Sequence, residues 1–245
     1  THISHALSDG GNEIVQVFSK TAKHAETLAY SLGCDVSNDS SQIVNDADIY
    51  LISASDKAIE KLIPQLCQGR ENGIFVHTSG STDINVFNNY ARRYGVIYPM
   101  QTFTKSRTLD FRDIPCFVEA SDKETETTLC NLAKTISDNV TTMASQQRKV
   151  LHLAAVFSCN FVNYCYQASY RLLTESGIPF RTMLPLIDET ASKIHDMPPY
   201  KAQTGPAVRN DITIIDKHLS MLESDNTLYE IYKIMSEGIY KNSQL

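Results

Sequence analysis

The sequence predicts a doubly wound α/β sheet that is followed by an all-α region. Between residues 13 and 144, short runs rich in Ile, Val, Phe and Tyr alternate with segments whose apolar residues recur at helical spacing. Strands that are joined by helices pair in parallel through right-handed crossovers, so this alternation indicates a mainly parallel sheet. After about Gln146 no strand pattern follows, which indicates helices to the end of the chain.

The first half supplies the sheet and its covering helices. The predicted strands are 13–19, 48–54, the run that begins at Ile74, the run that ends at Met100, 115–120 and 140–144. The predicted helices are one that ends at the Gly10-Gly11 pair, one capped by Thr21 that runs to residue 32, 56–66, 85–93 and 122–137. We therefore expect a domain of the doubly wound type over residues 1–145.

The second half is predicted to be helical over residues 146–245, with no flexible linker before it. The predicted helices are 147–176, 179–196, 211–222 and 227–240. Residues 150–161 (VLHLAAVFSCNF) are apolar nearly all round, so this part of the first helix should be buried on several sides. The residues expected to face inward from the second helix are Met183, Leu184, Ile187, Ala191 and Ile194.

Composition narrows the class of protein. The chain has 245 residues, 42% of them hydrophobic, which suffices for one or two domains. The net charge of −6 argues against nucleic acid or an anionic membrane as a partner. No apolar run approaches the roughly 20 residues of a membrane span, and no secretory signal is visible. The 6 cysteines form no C-x-x-C pair, so we predict a reducing, cytoplasmic setting.

Two strand ends are the most informative part of the chain. The runs IFVHTSGS (74–81) and GVIYPMQTF (95–103) each pass from apolar strand residues to small, hydrogen-bonding ones. Open α/β sheets bind ligands at such strand ends. The polar residues offered there, around the flexible Gly80, are His77, Thr78, Ser79, Ser81, Gln101 and Thr102.

Four separated motifs carry a family resemblance. They are HTSGS (77–81), YPMQTF (98–103), LHLAAVFSCNF (151–161) and TGPAVRND (204–211). In this order they resemble an uncharacterised Rossmann-like family whose members are regarded as NADP oxidoreductases, similar in layout to pyrroline-5-carboxylate reductase and the coenzyme F420-dependent NADP reductases. The resemblance covers nearly the whole chain. It implies an NADP-binding domain, then a helical domain for substrate binding and homodimerisation. It also implies a strand and a glycine-rich turn before THISHAL, outside the sequence given.

The candidate cofactor-binding residues lie at the ends of the predicted strands. NAD-binding folds place an acidic residue after the second strand, whereas a cation with hydroxyls suits the 2′-phosphate of NADP. Ser19, Lys20 and Thr21 occupy that place, although Thr21 could simply cap a helix beside a solvated lysine. The further cofactor candidates are Ser53, Ala54 and Ser55, then His77, Thr78, Ser79 and Gly80. We expect Asp56 to be a helix N-cap rather than a ligand contact.

The candidate catalytic residues are His77, Ser79 and Asn160. Imidazole titrates near neutrality, so His77 could donate a proton. The alternative, which we favour, is a buried histidine whose ring nitrogen bonds a backbone carbonyl. The candidate substrate residues are Ser81, Gln101, Thr102, His152, Asn163 and Arg209.

The helical half leaves several alternatives open. His152 and Asn163 are eleven residues apart and should share a helical face, with Asn160 close to it. Hydroxyacid dehydrogenases of similar layout carry a lysine just before the equivalent asparagine, but Lys149 lies too early for this role. Arg209 could bind a substrate carboxylate or pair with Asp188 or Glu189.

Two further predictions concern a helix cap and a metal site. Asp211 should cap the next helix. His2 and His5 lack a third metal ligand, so we predict no metal site.

The sequence thus predicts a cytoplasmic NADP-dependent oxidoreductase that acts on a small carbonyl or imine. The alternative is a dinucleotide-binding sensor or scaffold without turnover, which the missing lysine and the lack of a clear acid–base pair favour.

Overall fold

The computed structural model describes residues 1–104 and 106–244. The chain divides into two compact units, Thr1–Asn160 and Phe161–Leu245. The division falls later than the expected domain boundary near residue 145. The helix that begins at Ser145 is part of the first unit because its side chains bond to the loops and strands of the sheet.

The first unit contains seven strands and five α-helices among its described residues. The strands are β1 (Gln16–Phe18), β2 (Asp35–Ser37), β3 (Ile49–Ile52), β4 (Ile74–His77), β5 (Arg93–Pro99), β6 (Cys116–Ala120) and β7 (Val140–Thr142). The helices are α1 (His2–Asp9), α2 (Ala22–Leu32), α3 (Asp56–Cys67), α4 (Lys123–Lys134) and α5 (Ser145–Ala155).

Five strands form one sheet in the order β3-β4-β5-β6-β7. The pairs β3–β4, β4–β5 and β6–β7 are parallel, whereas β5–β6 is antiparallel. The antiparallel pair occurs where no helix separates two consecutive strands, so the chain returns directly along the sheet. The predicted fold class, a doubly wound and mainly parallel sheet followed by helices, is confirmed.

β1 and β2 form a separate parallel pair. The edges of β1 and β3 line the same two cavities, of about 870 and 190 Å³. Within residues 1–104 and 106–244, no strand bridges these edges. Ser19 and Ser53, two of the candidate cofactor residues, line the larger of these two cavities.

Helices cover both faces of the five-stranded sheet. On one face, Leu7 of α1 and Leu129 of α4 pack in a cluster with Val76 and Val118. On the other face, Ile59 of α3 packs in a second cluster. This two-sided burial explains why the strands contain nearly continuous apolar runs.

Two local predictions in the first unit are wrong. The helix expected over 85–93 is a short 3-10 turn, Ile84–Phe87, and β5 already begins at Arg93. Asp83 caps the turn, and the asparagines after it are poor helix formers. β2 was not predicted because its three residues contain a single apolar side chain.

The second unit is helical. Its α-helices are α6 (Val162–Glu175), α7 (Leu184–Asp196), α8 (Pro199–Ala202), α9 (Ile212–Met221) and α10 (Asn226–Ser243), with a 3-10 turn at Phe180–Met183. Asp211 and Asp225 cap α9 and α10 by accepting hydrogen bonds from Ile214 N and Leu228 N. The cap predicted at Asp211 is confirmed, and the short α8 is additional.

The long helix predicted from residue 147 is continuous but not uniform. Val156–Phe161 winds as a π-helix between α5 and α6. A π turn contains more residues than an α turn, so α-helical spacing does not hold across it. The shared helical face predicted for His152 and Asn163 depended on that spacing and loses its basis.

Several apolar residues expected in a core are exposed instead. Val150, Leu153 and Phe157 are 68%, 58% and 61% exposed, and Leu184 and Ile194 are also exposed. The buried hydrophobic residues of the second unit are Ala207, Leu222 and Leu228. The predictions of burial for these helix faces are therefore wrong for the single chain.

Among the helices of the described residues, none combines the length and the apolar character that crossing a membrane requires.

Candidate functional site

The candidate site lies along the carboxyl ends of the parallel strands. Ser19 follows β1, Ser53 follows β3 and Thr78 follows β4. The β4–β5 register pairs His77 with Val96, so Ser79 lies near the level of Tyr98. Parallel strands thus bring the predicted loops to one edge, as the sequence analysis expected.

The loop after β4 is closed by hydrogen bonds around Ser79. The Ser79 hydroxyl donates to Asp56 Oδ1 at 2.7 Å and accepts from the backbone N–H groups of Ser81 at 3.1 Å and Thr82 at 2.9 Å. The Ser81 hydroxyl donates to the other oxygen of Asp56. The hydrogen-bonding capacity of the Ser79 hydroxyl is therefore used within the protein. Ser79 holds the shape of the loop and has little capacity left for a ligand.

Asp56 links this loop to helix α3. The N-cap of α3 is Ser55, and Asp56 is the first helical residue, so the predicted N-cap role of Asp56 is wrong. Burial alone would raise the pKa of Asp56, but hydrogen bonds from Ser81, Ser79 and Thr82 outweigh it and lower that pKa. The carboxylate stays ionised at neutral pH and also favours the N-terminus of the helix.

His77 is fully buried beneath the same loop. Its Nδ1 accepts from Ser79 N at 3.1 Å, its ring stacks on Phe87, and within the described part of the chain Nε2 has no hydrogen-bond partner. Burial, reinforced by the nearby Arg148 charge, lowers the pKa of His77 to about 4. The ring is neutral at physiological pH, so this geometry favours a structural role over proton donation. The expected bond to a backbone carbonyl is replaced by the bond that Nδ1 accepts from a backbone N–H.

Arg148 of α5 is a site residue that the sequence analysis missed. Its side chain is 1% exposed and forms an ion pair with Glu119 of β6 at 2.6 Å. It also donates to the backbone carbonyls of Ser79 and Thr82. A buried arginine with a carboxylate and two loop carbonyls fixes the loop to α5 and to the sheet.

Ser145 extends this network at the start of α5. Its hydroxyl donates to Glu119 and accepts from the backbone N–H of Ile84. Two signals for this network are present in the sequence. Glu119 is a charged residue inside the apolar run PCFVEA, and Arg148 directly precedes the apolar part of its helix. Glu119 and Arg148 are 29 residues apart, so their pairing could not be predicted from the sequence.

Tyr98 and His152 meet over Gly80. The Tyr98 hydroxyl lies 3.2 Å from His152 Nδ1, and the rings are edge-on. A Cβ at Gly80 would lie 2.6 Å from His152 Nδ1 and 2.9 Å from the Tyr98 ring, so the contact requires glycine. His152 was among the predicted substrate residues, whereas Tyr98 was not among the candidate site residues.

The adenosine end of the candidate site is open. Ser19 Oγ accepts from the backbone N–H of Thr21 at 3.3 Å, and Thr21 is the N-cap residue of α2 without a side-chain cap bond. Lys20 is exposed, and within the part of the chain that the structure describes it forms no ion pair. Ser53, Ala54 and Ser55 are also exposed. A cation with neighbouring hydroxyls fits a dinucleotide that carries a 2′-phosphate.

Several other predicted site residues are exposed. Gln101 and Thr102 are exposed, and Gln101 Oε1 accepts from Thr102 N at 2.8 Å. Asn160 is exposed in the π-helical segment. Asn163 and Arg209 are exposed in the second unit.

The alternative pairing of Arg209 is wrong. Among the described residues, Glu189 pairs with Lys193 at 3.8 Å, and neither Asp188 nor Glu189 pairs with Arg209. Lys149, considered for a catalytic role, forms an ion pair with Asp83 at 2.7 Å. Within the two described ranges, no group of three or more residues could hold a metal ion.

Comparison with known proteins identifies the family. The model of a domain of unknown function, DUF2520, matches residues 114–239. The chain belongs to the DUF2520 family. It is 43% identical to a protein described as a putative NADP oxidoreductase from Bacteroides fragilis, with a TM-score of 0.94, over 98% of this chain and 93% of that one.

More distant structures share the fold of this DUF2520 protein. A protein from Thermotoga maritima is 20% identical with a TM-score of 0.81, over 100% of this chain and 97% of that one. An imine reductase from Myxococcus stipitatus, in complex with NADP+, is 12% identical with a TM-score of 0.68, over 99% and 91%. No curated protein sequence matches the chain.

Proposed function

We propose that the protein is an NADP-dependent oxidoreductase that acts on a small carbonyl or imine. The observation that carries the proposal is the 43% identity, over nearly the whole of both chains, with the Bacteroides fragilis protein described as a putative NADP oxidoreductase. The open strand ends support the same cofactor. The bound cofactor would supply a hydride, and the protein would orient the ring and the substrate.

We assign the candidate cofactor residues to parts of the dinucleotide according to which of them still have polar groups free to bind a ligand. Ser19, Lys20 and Thr21 would hold the 2′-phosphate and ribose, and Ser53, Ala54 and Ser55 would contact the adenosine and pyrophosphate. Thr78 and Gly80, on the rigid loop, would lie along the nicotinamide, with His77 and Ser79 holding the loop beneath it. Lys20 is the sharpest of these assignments because an exposed cation without a partner is available to a phosphate.

The substrate would bind at the β4–β5 end of the same edge. Ser81, Gln101, Thr102 and His152 supply polar groups there. Asn160, Asn163 and Arg209 are our further candidates for residues that contact the substrate. Since His77 is neutral and the Ser79 hydroxyl is already bonded, these two would contribute orientation rather than proton transfer.

A sensor or scaffold that binds the dinucleotide without turnover is the second candidate. The ion pair of Lys149 with Asp83 favours it, because this lysine is not free to assist hydride transfer.

Two measurements test and separate these functions. NADPH and NADH are titrated into the full-length protein by following nucleotide fluorescence, with Lys20→Ala and the matched surface variant Lys23→Ala beside it. We expect tighter binding of NADPH than of NADH, and a roughly tenfold loss for NADPH alone in Lys20→Ala, since tenfold corresponds to about 1.4 kcal/mol. Binding of neither nucleotide would contradict both functions.

Turnover is then measured as NADPH oxidation with a panel of small cyclic imines and keto acids. Oxidation by any member supports the enzyme. Binding without oxidation across the panel supports the sensor.

We further propose that the protein works as a homodimer through its helical domain, in the cytoplasm. The exposed apolar residues of α5 to α7 and the few buried ones of the second unit support a second copy as the covering partner. The free thiols of all 6 cysteines fit a reducing compartment. Light scattering during size-exclusion chromatography should give twice the chain mass, and Leu153→Glu should shift it towards the monomer. A monomeric unaltered protein would contradict the dimer.

A further inference from the structure

Tyr98 and His152 form a polar pair at the strand edge that the cofactor assignment leaves unused. Tyr98 lies at the carboxyl end of β5, near the level of the loop that would contact the nicotinamide. Its hydroxyl is 3.2 Å from His152 Nδ1, and both side chains are half-buried. Packing of the two rings does not require a hydroxyl on residue 98. The contact between the Tyr98 hydroxyl and His152 Nδ1 therefore indicates a role beyond packing.

The surroundings keep the Tyr98 phenol protonated. Burial raises the pKa of Tyr98, Arg148 of α5 opposes this rise, and Cys159 of the π-helical segment adds to it. On the other side of the pair, the Asp56 carboxylate of α3 interacts with His152. A phenol that stays neutral next to an imidazole can donate a proton and recover it.

We propose that Tyr98 is the general acid of the reduction and that His152 returns a proton to it. This inference rests on the proposed oxidoreductase function. Once a hydride has added to the carbon of the C=O or C=N bond, the displaced electron pair on oxygen or nitrogen takes the proton of Tyr98 Oη. The phenolate then takes the proton of His152 Nδ1, and the half-exposed imidazole recovers one from water at its other nitrogen.

Gly80 supports this role because its lack of a side chain leaves room for the Tyr98 and His152 rings. A side chain there would collide with both rings, so glycine lets His152 and Tyr98 approach the loop backbone directly. A substrate carbonyl or imine that faces a nicotinamide bound along Thr78 and Gly80 would therefore lie near the Tyr98 hydroxyl. In this proposal Tyr98 is a catalytic residue, and His152 is a proton relay that acts through Tyr98.

The chain contains matched controls. Tyr94 is on the same strand, and its hydroxyl donates to Asn88 Oδ1 at 2.6 Å. Tyr232 in the second unit forms a similar pair with His218, 2.7 Å from its Nδ1. Tyr94→Phe and Tyr232→Phe remove the same atom from places that the proposal does not use.

The kinetic test compares Tyr98→Phe with these two variants. NADPH oxidation is followed with 2-methyl-1-pyrroline and with pyruvate at saturating NADPH. We expect kcat of Tyr98→Phe to fall on the order of 100-fold or more, the range of general acid catalysis, with an unchanged Kd for NADPH. The controls should stay within about twofold, since neither hydroxyl takes part in the proposed proton transfer.

The pH profile supplies a second readout. Reduction by the unaltered protein should fall as the pH rises through the raised pKa of Tyr98, because the phenolate has no proton to donate. Tyr98→Phe should lack this fall. For His152→Ala, added imidazole should restore part of the lost rate, which a purely structural role would not allow.

A spectroscopic measurement tests the pair without turnover. In protein labelled at tyrosine Cζ, the Tyr98 carbon resonance is assigned by its absence in Tyr98→Phe. It should titrate above the usual tyrosine range and shift in His152→Ala but not in His218→Ala. A Tyr98 resonance with an ordinary titration that is insensitive to His152 would overturn the relay.

The outcomes separate this inference from the proposed function. Turnover by the unaltered protein with an equal kcat in Tyr98→Phe would overturn the proton transfer alone. Tight NADPH binding with no oxidation by either probe or any panel member would overturn the enzyme and the proton transfer together.

Discussion

The two ends of the strand edge differ in how their polar groups are used. At the β4 end, the Ser79 hydroxyl bonds to Asp56 and to the backbone N–H groups of Ser81 and Thr82, and Arg148 donates to the carbonyls of Ser79 and Thr82. At the β1–β3 end, the side chains of Ser53 and Ser55 make no hydrogen bond within the described residues, and Lys20 is solvated. One end is closed on itself and the other is open.

The difference indicates which residues can bind a ligand. A buried polar group that already has its partners stabilises a shape, and removing one partner leaves the other unsatisfied. An exposed group without a partner adds little to stability but can bond to a ligand without first breaking an internal bond. Variants at the closed end should therefore change folding, and variants at the open end should change binding.

The largest effect is expected for Arg148→Met. Removing the guanidinium leaves Glu119 and the carbonyls of Ser79 and Thr82 without their partner, and breaking a buried ion pair costs about 3–5 kcal/mol. The free energy of unfolding is measured by urea titration followed by circular dichroism. The matched control is Arg112→Met, because the Arg112–Asp138 pair is 52% and 72% exposed and should contribute about 0–1 kcal/mol. Equal losses in the two variants would show that the loop is not fastened by Arg148.

His77 should make the closed end sensitive to acid. Its pKa is about 4 in the folded protein, against about 6.5 in an unfolded chain, so the unfolded state binds more protons between these values. Stability should not depend on this group above about pH 6.5. It should fall by up to ~1.4 kcal/mol for each pH unit from there to about pH 4.

The comparison uses His77→Asn, whose amide oxygen can still accept from Ser79 N. The slope of unfolding free energy against pH should be shallower in this variant than in the unaltered protein. The exposed control, His24→Asn, should keep the original slope. An unchanged slope in His77→Asn would mean that this ring is not held neutral by burial.

Ser79→Ala should have an intermediate effect. The variant leaves the N–H groups of Ser81 and Thr82 and one oxygen of Asp56 without the hydroxyl, at a cost of about 1–3 kcal/mol. Amide hydrogen exchange measured at Ser81 and Thr82 should accelerate. Exchange at these two amides that stays as slow as in the unaltered protein would contradict the closed-loop description.

The smallest effect is expected at the open end. Ser53→Ala and Lys20→Ala should change the free energy of unfolding by less than about 0.5 kcal/mol, as is usual for surface positions. The same urea titrations measure it. A loss comparable to that of Ser79→Ala would remove the contrast between the two ends.

The sequence by itself predicted the doubly wound sheet, most of its strands and helices, and the strand ends that carry the candidate site residues. Alternating apolar runs are local signals, and so are the caps at Asp122 and Asp211, each of which bonds a backbone N–H three residues ahead. The same local logic located Ser19 to Thr21 after β1 and HTSGS after β4.

Only the tertiary structure decided how the site is assembled. Asp56 meets Ser79 across 23 residues, Arg148 meets Glu119 across 29, and Tyr98 meets His152 across 54. Periodicity places a side chain on a face of its own strand or helix, but it does not specify which distant residue it will face. The partners were fixed by β4–β5 pairing and by the packing of α3 and α5 against the loop, which is where burial decides which polar groups must be satisfied.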